Sequence, residues 1–311
     1  MKAFIFPGQG SQVVGMGKAL GAASSAAREV FGEVDEALGQ ALYRVMAEGP
    51  DDTLTLTENA QPAIMANAIA TLRVLEREGG IRLAEKAAFV AGHSLGEYSA
   101  LCAAGAIDLS TTARLLKTRG QAMQAAVPVG EGAMAVILGL DFDAVTAIAA
   151  DAAQGEVCAA ANDNGGGQVV ISGHAAAVER AMQSAKARGA KRALPLDVSA
   201  PFHCTLMAPA AEVMTKALAD ARVQAPLVPL YANVTAAQVT DPDAIRRLLV
   251  DQVTGVVRWR ESVIAMADAG VTEFVEFGGK VLGPMIKRIN PDVATRSVMT
   301  MDDIEALIGD L

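Results

Sequence analysis

The segment at 92–96, Gly-His-Ser-Leu-Gly, has the residue types and spacing of a nucleophile elbow, G-x-S-x-G. In such an elbow a strand turns sharply into a helix and presents the serine hydroxyl at the tip, and the glycines are needed because a Cβ would clash in the turn. An apolar segment at 87–91 precedes the motif, and an alanine-rich segment at 98–104 follows it. We therefore predict that Ser94 is a nucleophile. The alternative is an ordinary strand–helix turn with a capping serine.

A serine nucleophile at neutral pH needs a base, and the chain has three histidines that could serve. His93 adjoins Ser94, and the elbow geometry directs its side chain away from that of Ser94. His174 precedes a predicted helix, where we expect a solvated cap. His203, in the segment 198–203, is the best placed of the three, although taken alone it is more often a core or surface histidine than a base.

An oxyanion formed by attack of Ser94 needs two N–H donors. In elbow enzymes the first is the amide of the residue after the nucleophile, here Leu95. A loop after the first predicted strand, Pro-Gly-Gln-Gly-Ser-Gln at 7–12, can offer the amide of Gln9 as the second. A phosphate-binding loop is disfavoured, because Val13 stands where G-x-G-x-x-G needs a glycine.

Metal and disulfide chemistry have little support in the sequence. None of the histidines forms an H-x-x-H or HExxH pair, so we predict no metal site and no cofactor. The three cysteines are odd in number and far apart, which is typical of reduced, buried thiols: Cys102, Cys158 and Cys204.

The amino-acid composition excludes several classes of protein. The chain has 311 residues, of which 52% are hydrophobic and 20% charged, which excludes a disordered chain. A net charge of −9 argues against nucleic acid or anionic lipid as a partner of the whole surface. No apolar run is long enough for a membrane span or a signal peptide, so we expect a cytoplasmic protein.

The order of predicted elements indicates an α/β fold with an inserted domain. Residues 1–126 and 200–311 have the strand–helix order of a parallel sheet, as in an α/β-hydrolase-like core. Residues 127–199 have the β-α-β-β-α-β order of a small ferredoxin-like subdomain. Ser110 is the predicted N-cap of the third helix. The predicted strands are 2–6, 87–91, 133–138, 157–161, 168–172, 191–196, 227–232 and 273–276, and the predicted helices are 61–78, 95–104, 110–124, 143–153, 175–188, 206–221, 242–250 and 260–269.

Five segments, in order and at similar spacings, resemble the malonyl-CoA:acyl-carrier-protein transacylase family. The likeness runs from residue 1 to about residue 289. One departure lies at 277–280, Phe-Gly-Gly-Lys, where the family commonly has Gly-Pro-Gly-Lys. The five segments are Phe-Pro-Gly-Gln-Gly-Ser-Gln at 6–12, Gly-His-Ser-Leu-Gly-Glu-Tyr at 92–98, Arg-Gly at 119–120, the stretch 162–173, and Pro-Phe-His-Cys at 201–204.

This resemblance implies a function and assigns the residues. The implied reaction moves malonyl from malonyl-CoA to the phosphopantetheine thiol of an acyl carrier protein, through a malonyl ester, in fatty acid biosynthesis. Ser94 is the implied nucleophile and His203 its base, oriented by a backbone carbonyl. The resemblance also implies that Gln9 and Leu95 are the oxyanion donors and that Arg119 binds the malonyl carboxylate. The implied substrate contacts are Gln252, Phe202 and Asn162.

Because acyl carrier proteins are acidic, an acidic enzyme needs a local basic patch to bind one. The resemblance implies that Lys191, Arg192, Lys287 and Arg288 form it, and solubilising surface charge is the alternative. We expect a monomer. Two other functions stay open: a serine esterase or thioesterase of the α/β-hydrolase class, against which the 108 residues after His203 argue, and a catalytically silent acyl-CoA-binding subunit.

Overall fold

The computed structural model describes residues 1–310, which form two β-sheets with helices packed on them. The strands are Lys2–Phe6 (β1), Phe89–Gly92 (β2), Gly132–Leu138 (β3), Cys158–Asp163 (β4), Gln168–His174 (β5), Arg192–Pro195 (β6), Leu230–Ala232 (β7), Ala237–Val239 (β8), Glu273–Phe277 (β9) and Ala294–Val298 (β10). The helices are Lys18–Ala23 (α1), Ser25–Leu38 (α2), Leu42–Glu48 (α3), Asp51–Thr55 (α4), Thr57–Arg77 (α5), Leu83–Lys86 (α6), Gly96–Ala103 (α7), Leu109–Ala125 (α8), Phe142–Ala153 (α9), Ala175–Ala187 (α10), Ala208–Asp220 (α11, preceded by a 3₁₀ turn at Thr205–Met207), Pro242–Thr254 (α12), Trp259–Asp268 (α13), Leu282–Ile289 (α14) and Met301–Asp310 (α15).

The first sheet has the order β10-β9-β1-β2-β7-β8, and only the edge strand β8 is antiparallel to its neighbour. Phe6 at the end of β1 pairs with Gly92 at the end of β2. The loops that follow these two strands therefore leave the same edge of the sheet side by side, which is where parallel sheets carry their binding sites.

The second sheet is antiparallel, with the order β4-β5-β3-β6. All four strands lie between Gly132 and Pro195, and α9 and α10 complete a split β-α-β unit. The predicted fold class, a parallel α/β core with a small ferredoxin-like insert, is confirmed. The domain boundaries at residues 127 and 199 stay a prediction.

The small sheet is joined to the segment between α12 and α13 at a short bridge. Asn162 at the end of β4 pairs with Val257, and the amide of Asp163 donates to the Val257 carbonyl at 2.9 Å. The Arg260 side chain forms an ion pair with the buried Asp163 carboxylate at 2.8 Å. A hydrogen bond of 2.8 Å between His93 and Asn164 places this end of the small sheet next to the loop after β2.

Helix α5 is buried along almost its whole length between α2, α7 and α8, which accounts for its many alanines. Helix α8 begins one residue earlier than predicted, at Leu109. Its N-cap is Asp108, whose carboxylate accepts from the Thr111 amide, so the assignment of Ser110 as the cap was wrong. Ser110 donates to Glu33 instead. Elements α1–α4, α6, α14, α15, β8 and β10 are not among the predicted helices and strands. Within residues 1–310, no helix combines the length and the apolar character that a bilayer crossing needs.

Candidate active site

Ser94 lies in a sharp turn between β2 and α7, with a left-handed backbone (φ 54°). The turn is so tight that a Cβ on Gly92 would lie 1.9 Å from the Gly96 carbonyl carbon. A Cβ on Gly96 would lie 2.3 Å from the carbonyl oxygen of Phe6 at the end of β1. Both glycines of the motif are therefore required sterically, and the strand–turn–helix geometry is that of a nucleophile elbow.

His203 is the histidine that reaches Ser94. Its Nε2 lies 2.8 Å from Ser94 Oγ, and its Nδ1 lies 2.8 Å from the backbone oxygen of Gln252. Because a carbonyl can only accept, Nδ1 carries the proton and donates, which leaves Nε2 as the acceptor for the serine hydroxyl. Burial, assisted by the positive charge of Arg119, lowers the pKa of His203 to about 3, so the imidazole is neutral at pH 7.

The other two histidines do not contact the Ser94 hydroxyl. His93 also lines the cleft, but its Nε2 lies 2.8 Å from the side-chain oxygen of Asn164. His174 accepts a hydrogen bond from the Val157 amide through Nδ1, at 2.9 Å, and makes no cap bond to α10. His174 occupies the N-cap position of α10, as expected, but its side chain is not a solvated cap, because it is half-buried and bonded to the residue before β4.

Arg119 is a buried cation at the bottom of the site, only 1% exposed. Its Nη2 donates to Ser94 Oγ at 3.2 Å and to Gln252 Oε1 at 2.9 Å, and its Nη1 donates to Gln61 Oε1 at 2.7 Å. Its Nε has no hydrogen-bond partner, and within residues 1–310 no carboxylate lies within ion-pair distance of the guanidinium. Burying an unpaired charge destabilises the folded protein, and a ligand with a carboxylate would offset that loss of free energy.

Three polar residues that the sequence did not reveal, Glu97, Asn233 and Gln61, hold the elbow and Arg119 in place. The Ser94 amide donates to Asn233 Oδ1 at 2.8 Å, and Asn233 Nδ2 donates to the Gly92 carbonyl at 2.7 Å. Gln252 Nε2 donates to Glu97 Oε2 at 2.8 Å. Burial raises the pKa of the Glu97 carboxyl to about 7, although hydrogen bonds from Gln252 and Asn233 oppose this.

A topological signal for Asn233 existed. It follows β7, the strand next to β2, so it lies at the carboxyl edge where parallel sheets carry their sites. Glu97 stands three residues after Ser94 in the elbow sequence. Gln61 had no local signal, because it lies on α5, 33 residues before the serine, and only the packing of α5 on α8 brings it to Arg119.

The loop after β1 packs on the elbow. A Cβ on Gly8 would lie 2.7 Å from the His93 carbonyl oxygen, so this contact requires a glycine. Gln9 and Leu95 both line the cleft above Ser94. Within residues 1–310, neither of their backbone N–H groups donates to a protein atom, and both are free for a ligand oxygen.

The cleft has a volume of about 270 Å³ and contains Ser94, His203 and Arg119 together. The predicted substrate contacts Phe202 and Asn162, both buried, line it. The predicted Gln252 contributes through the bonds described above. The apolar part of the wall consists of Leu95, Met123, Met134, Leu196 and Val198.

The four predicted docking residues, Lys191, Arg192, Lys287 and Arg288, are exposed. Two of them lie near the glycine turn 165–167: a Cβ on Gly139, which packs on Gly167, would lie 2.7 Å from the Lys191 side chain, and a Cβ on Gly166 would lie 2.7 Å from that of Arg288. Arg192 pairs with Leu138 in the small sheet, and Lys287 donates to the Pro291 carbonyl.

The atypical Phe-Gly-Gly-Lys segment supports the site loop. Asn67 Nδ2 donates to the Gly278 carbonyl at 3.0 Å, and Gly279 lies against the ring of Pro7. Gly278 has a φ of 74°, which proline could not adopt.

A second cavity, of about 560 Å³, lies between α2, α5 and the start of α8. It contains Cys102, but burial raises the pKa of that thiol to about 12, so it is not a nucleophile at neutral pH. All three cysteines are free and buried, as predicted. Among residues 1–310, no group of three or more His, Cys, Asp or Glu side chains is arranged to hold a metal ion.

Comparison with known proteins agrees with this geometry. A family model described as the acyl transferase domain matches residues 3–279. The chain is 47% identical to malonyl CoA-acyl carrier protein transacylase of Escherichia coli K12, over 96% of this chain and 95% of that one. The crystal structure of acyl-carrier-protein-S-malonyltransferase from Bartonella henselae superposes with a TM-score of 0.97 at 54% identity, covering 99% of both chains. A malonyl transacylase solved in complex with its type II polyketide-synthase acyl carrier protein superposes with a TM-score of 0.96 at 40% identity, over 100% of this chain and 99% of that one. The chain therefore belongs to the acyl transferase domain family, and within it to the malonyl-CoA:acyl-carrier-protein transacylases.

Proposed function

We propose that this protein transfers malonyl from malonyl-CoA to the phosphopantetheine thiol of an acyl carrier protein, through an ester on Ser94, and so supplies fatty acid biosynthesis. One observation carries the proposal. Ser94 Oγ lies 2.8 Å from His203 Nε2 and 3.2 Å from Nη2 of Arg119, a buried cation without a carboxylate partner. A nucleophile next to an unpaired buried cation suits an acyl group that carries its own carboxylate.

The reaction proceeds in two matched halves. Ser94 Oγ attacks the thioester carbonyl while His203 Nε2 takes the hydroxyl proton, and the N–H groups of Gln9 and Leu95 bind the oxyanion. The C–S bond then breaks, and His203 returns the proton to the CoA sulfur. In the second half the carrier thiol gives its proton to His203 and attacks the ester carbonyl. The C–O bond to Ser94 then breaks, and His203 returns the proton to Oγ, which restores the Ser94 hydroxyl. One thioester replaces another, so we propose that no cofactor is needed.

The malonyl carboxylate pairs with Arg119, which selects malonyl over acetyl. Gln252 and Gln61 hold the guanidinium in place through their side-chain oxygens. Phe202 and Asn162 lie in the cleft wall, where they contact the acyl group.

Lys191, Arg192, Lys287 and Arg288 are proposed to bind the acidic carrier protein. All four are exposed, and two of them, Lys191 and Arg288, lie near one glycine turn. Arg288 also donates to Gln168, which lines a cavity of about 270 Å³ that shares Gln9, Asn162 and Leu196 with the catalytic cleft. Arg288 thus lies next to a cavity that adjoins the catalytic cleft, which the phosphopantetheine arm must reach.

A serine esterase or thioesterase is the alternative. It is less well supported, because enzymes of that class place the histidine near the chain end and orient it with Asp or Glu. Here a backbone carbonyl orients His203, and 108 residues follow it.

The decisive experiment is intact-mass analysis after incubation with malonyl-CoA. We expect one added malonyl group on the wild type, none on Ser94→Ala, and loss of the adduct when holo acyl carrier protein is added, with malonyl appearing on the carrier. Labelling of Ser94→Ala would refute the nucleophile assignment. Release of free malonate at the same rate with and without the carrier protein would favour the hydrolase.

A further inference from the structure

A chain of side-chain hydrogen bonds links Arg119 to the loop that carries Gln9. Arg119 Nη1 donates to Gln61 Oε1 at 2.7 Å, Gln61 Nε2 donates to Thr57 Oγ1 at 3.1 Å, and Thr57 Oγ1 donates to Gln9 Oε1 at 3.2 Å. A guanidinium can only donate, so it fixes the orientation of the Gln61 amide and, through it, the direction of the Thr57 hydroxyl. All three hydrogen bonds therefore run in the same donor-to-acceptor direction, from Arg119 toward Gln9.

The packing of α5 and α8 brings the residues of this hydrogen-bond series together. Thr57 and Gln61 are four residues apart, on one face of α5, and are 2% and 1% exposed. Helix α8 approaches α5 at Gly120, where a Cβ would lie 2.7 Å from the Thr57 carbonyl oxygen. A glycine next to Arg119 thus lets the guanidinium reach Gln61.

The last bond of this series anchors the side chain of Gln9, in the loop after β1. Gln9 precedes Gly10, whose φ is 99°, and within residues 1–310 the Thr57 hydroxyl is the only hydrogen-bond partner of the Gln9 side chain. The same residue lines the cleft, and its backbone N–H donates to no atom of residues 1–310. Tethering the side chain restricts the direction of that amide.

We propose that Thr57 and Gln61 are positioning residues that couple Arg119 to the Gln9 loop, so that the carboxylate-binding group and one oxyanion donor are set together. The proposal rests on the proposed malonyl transfer. When the carboxylate of the acyl group pairs with Arg119, the backbone N–H of Gln9 is then oriented to bind the oxyanion. Because the donor acts on the transition state, the effect falls on kcat rather than on KM.

The test uses two substitutions at one position. Thr57→Val removes the hydroxyl and keeps the shape, whereas Thr57→Ser keeps the hydroxyl and removes a methyl group. Loss of a whole oxyanion donor costs about 100- to 1000-fold, so partial misdirection of one donor by Thr57→Val should lower kcat for malonyl-CoA about 10-fold, with KM within about 2-fold. Thr57→Ser should recover the rate to within about 3-fold of the wild type. Thr71→Val is the matched control, since it removes a buried hydroxyl from the same helix, where that hydroxyl donates only to the Asn67 carbonyl.

Gln61→Met removes the middle of the chain and should lower kcat in the same way, which keeps the test available if Thr57→Val folds poorly. A second readout is coupling: in an Arg119→Ala background, measured with acetyl-CoA, Thr57→Val should cost less than in the wild type, because residues in one network are not additive. Wild-type kcat in Thr57→Val, equal damage by Val and Ser, or full additivity with Arg119→Ala would each overturn the coupling. Failure of the wild type to accept malonyl would instead refute the proposed function.

Discussion

Replacing Arg119 by alanine should separate recognition of the malonyl carboxylate from acyl transfer itself. The guanidinium has five N–H donors, and its bonds to Gln61, Gln252 and Ser94 use three of them. Two N–H groups and the buried positive charge remain for a ligand. Acetyl lacks the carboxylate, so it gains nothing from them.

The size of the effect follows from these leftover donors. A hydrogen bond to a charged group contributes about 1.5–3 kcal/mol, which corresponds to about 10- to 150-fold in rate preference. Arg119→Ala also removes bonds to Gln252 and Ser94, so both substrates can lose rate. The ratio of kcat/KM for malonyl-CoA to that for acetyl-CoA is therefore the informative quantity, and we expect it to fall about 10- to 150-fold.

The assay is acyl transfer to holo acyl carrier protein with each thioester under identical conditions. Arg114→Ala is the matched control, because Arg114 is an exposed arginine on the same helix and should leave the ratio unchanged. Unfolding midpoints check that Arg119→Ala is folded. An equal loss for malonyl and acetyl would show that Arg119 stabilises the site without selecting the carboxylate, and the assignment would be withdrawn.

Three further outcomes follow from the site. The pKa of His203 is lowered to about 3, so the acid limb of kcat/KM should lie well below pH 6.5; a limb at pH 6.5 in both the wild type and Glu97→Gln would contradict this. Burial raises the pKa of Glu97 to about 7, so between pH 4.5 and 7 the folded state binds more protons than the unfolded state at this group, and its contribution to stability decreases as pH rises. Relative to the wild type, Glu97→Gln should therefore gain stability in denaturant titrations from pH 5 to pH 8, and a constant difference would refute the buried charge. Finally, Lys191→Glu with Arg192→Glu should raise KM for the carrier protein several-fold but not for malonyl-CoA, whereas an unchanged carrier KM would remove this pair from the docking surface.

Local sequence was enough to predict the elbow and much of the fold. The glycines at 92 and 96 are dictated by contacts of less than 2.5 Å that any Cβ would make, so the motif carries its own geometry. Alternation and strand–helix order likewise indicated the parallel core and the ferredoxin-like insert, because periodicity reflects which faces are buried. The cap of α8 was misplaced by two residues, since Ser110 and Asp108 are both good caps and only the helix start chooses between them.

The sequence alone was therefore sufficient for the groups whose geometry is set by neighbouring residues. These are the elbow serine, the glycine-flanked Gln9 and the strands that end at them. The tertiary structure decided which distant side chains complete the site. His203 lies 109 residues from Ser94, and Gln61, Asn233 and Gln252 come from three different helices and loops, yet all meet within hydrogen-bond distance of the elbow or of Arg119. The physical reason is that hydrogen bonds and buried charge depend on distance in space, and only the packing of α5, α8 and α12 around the ends of β1 and β2 sets those distances.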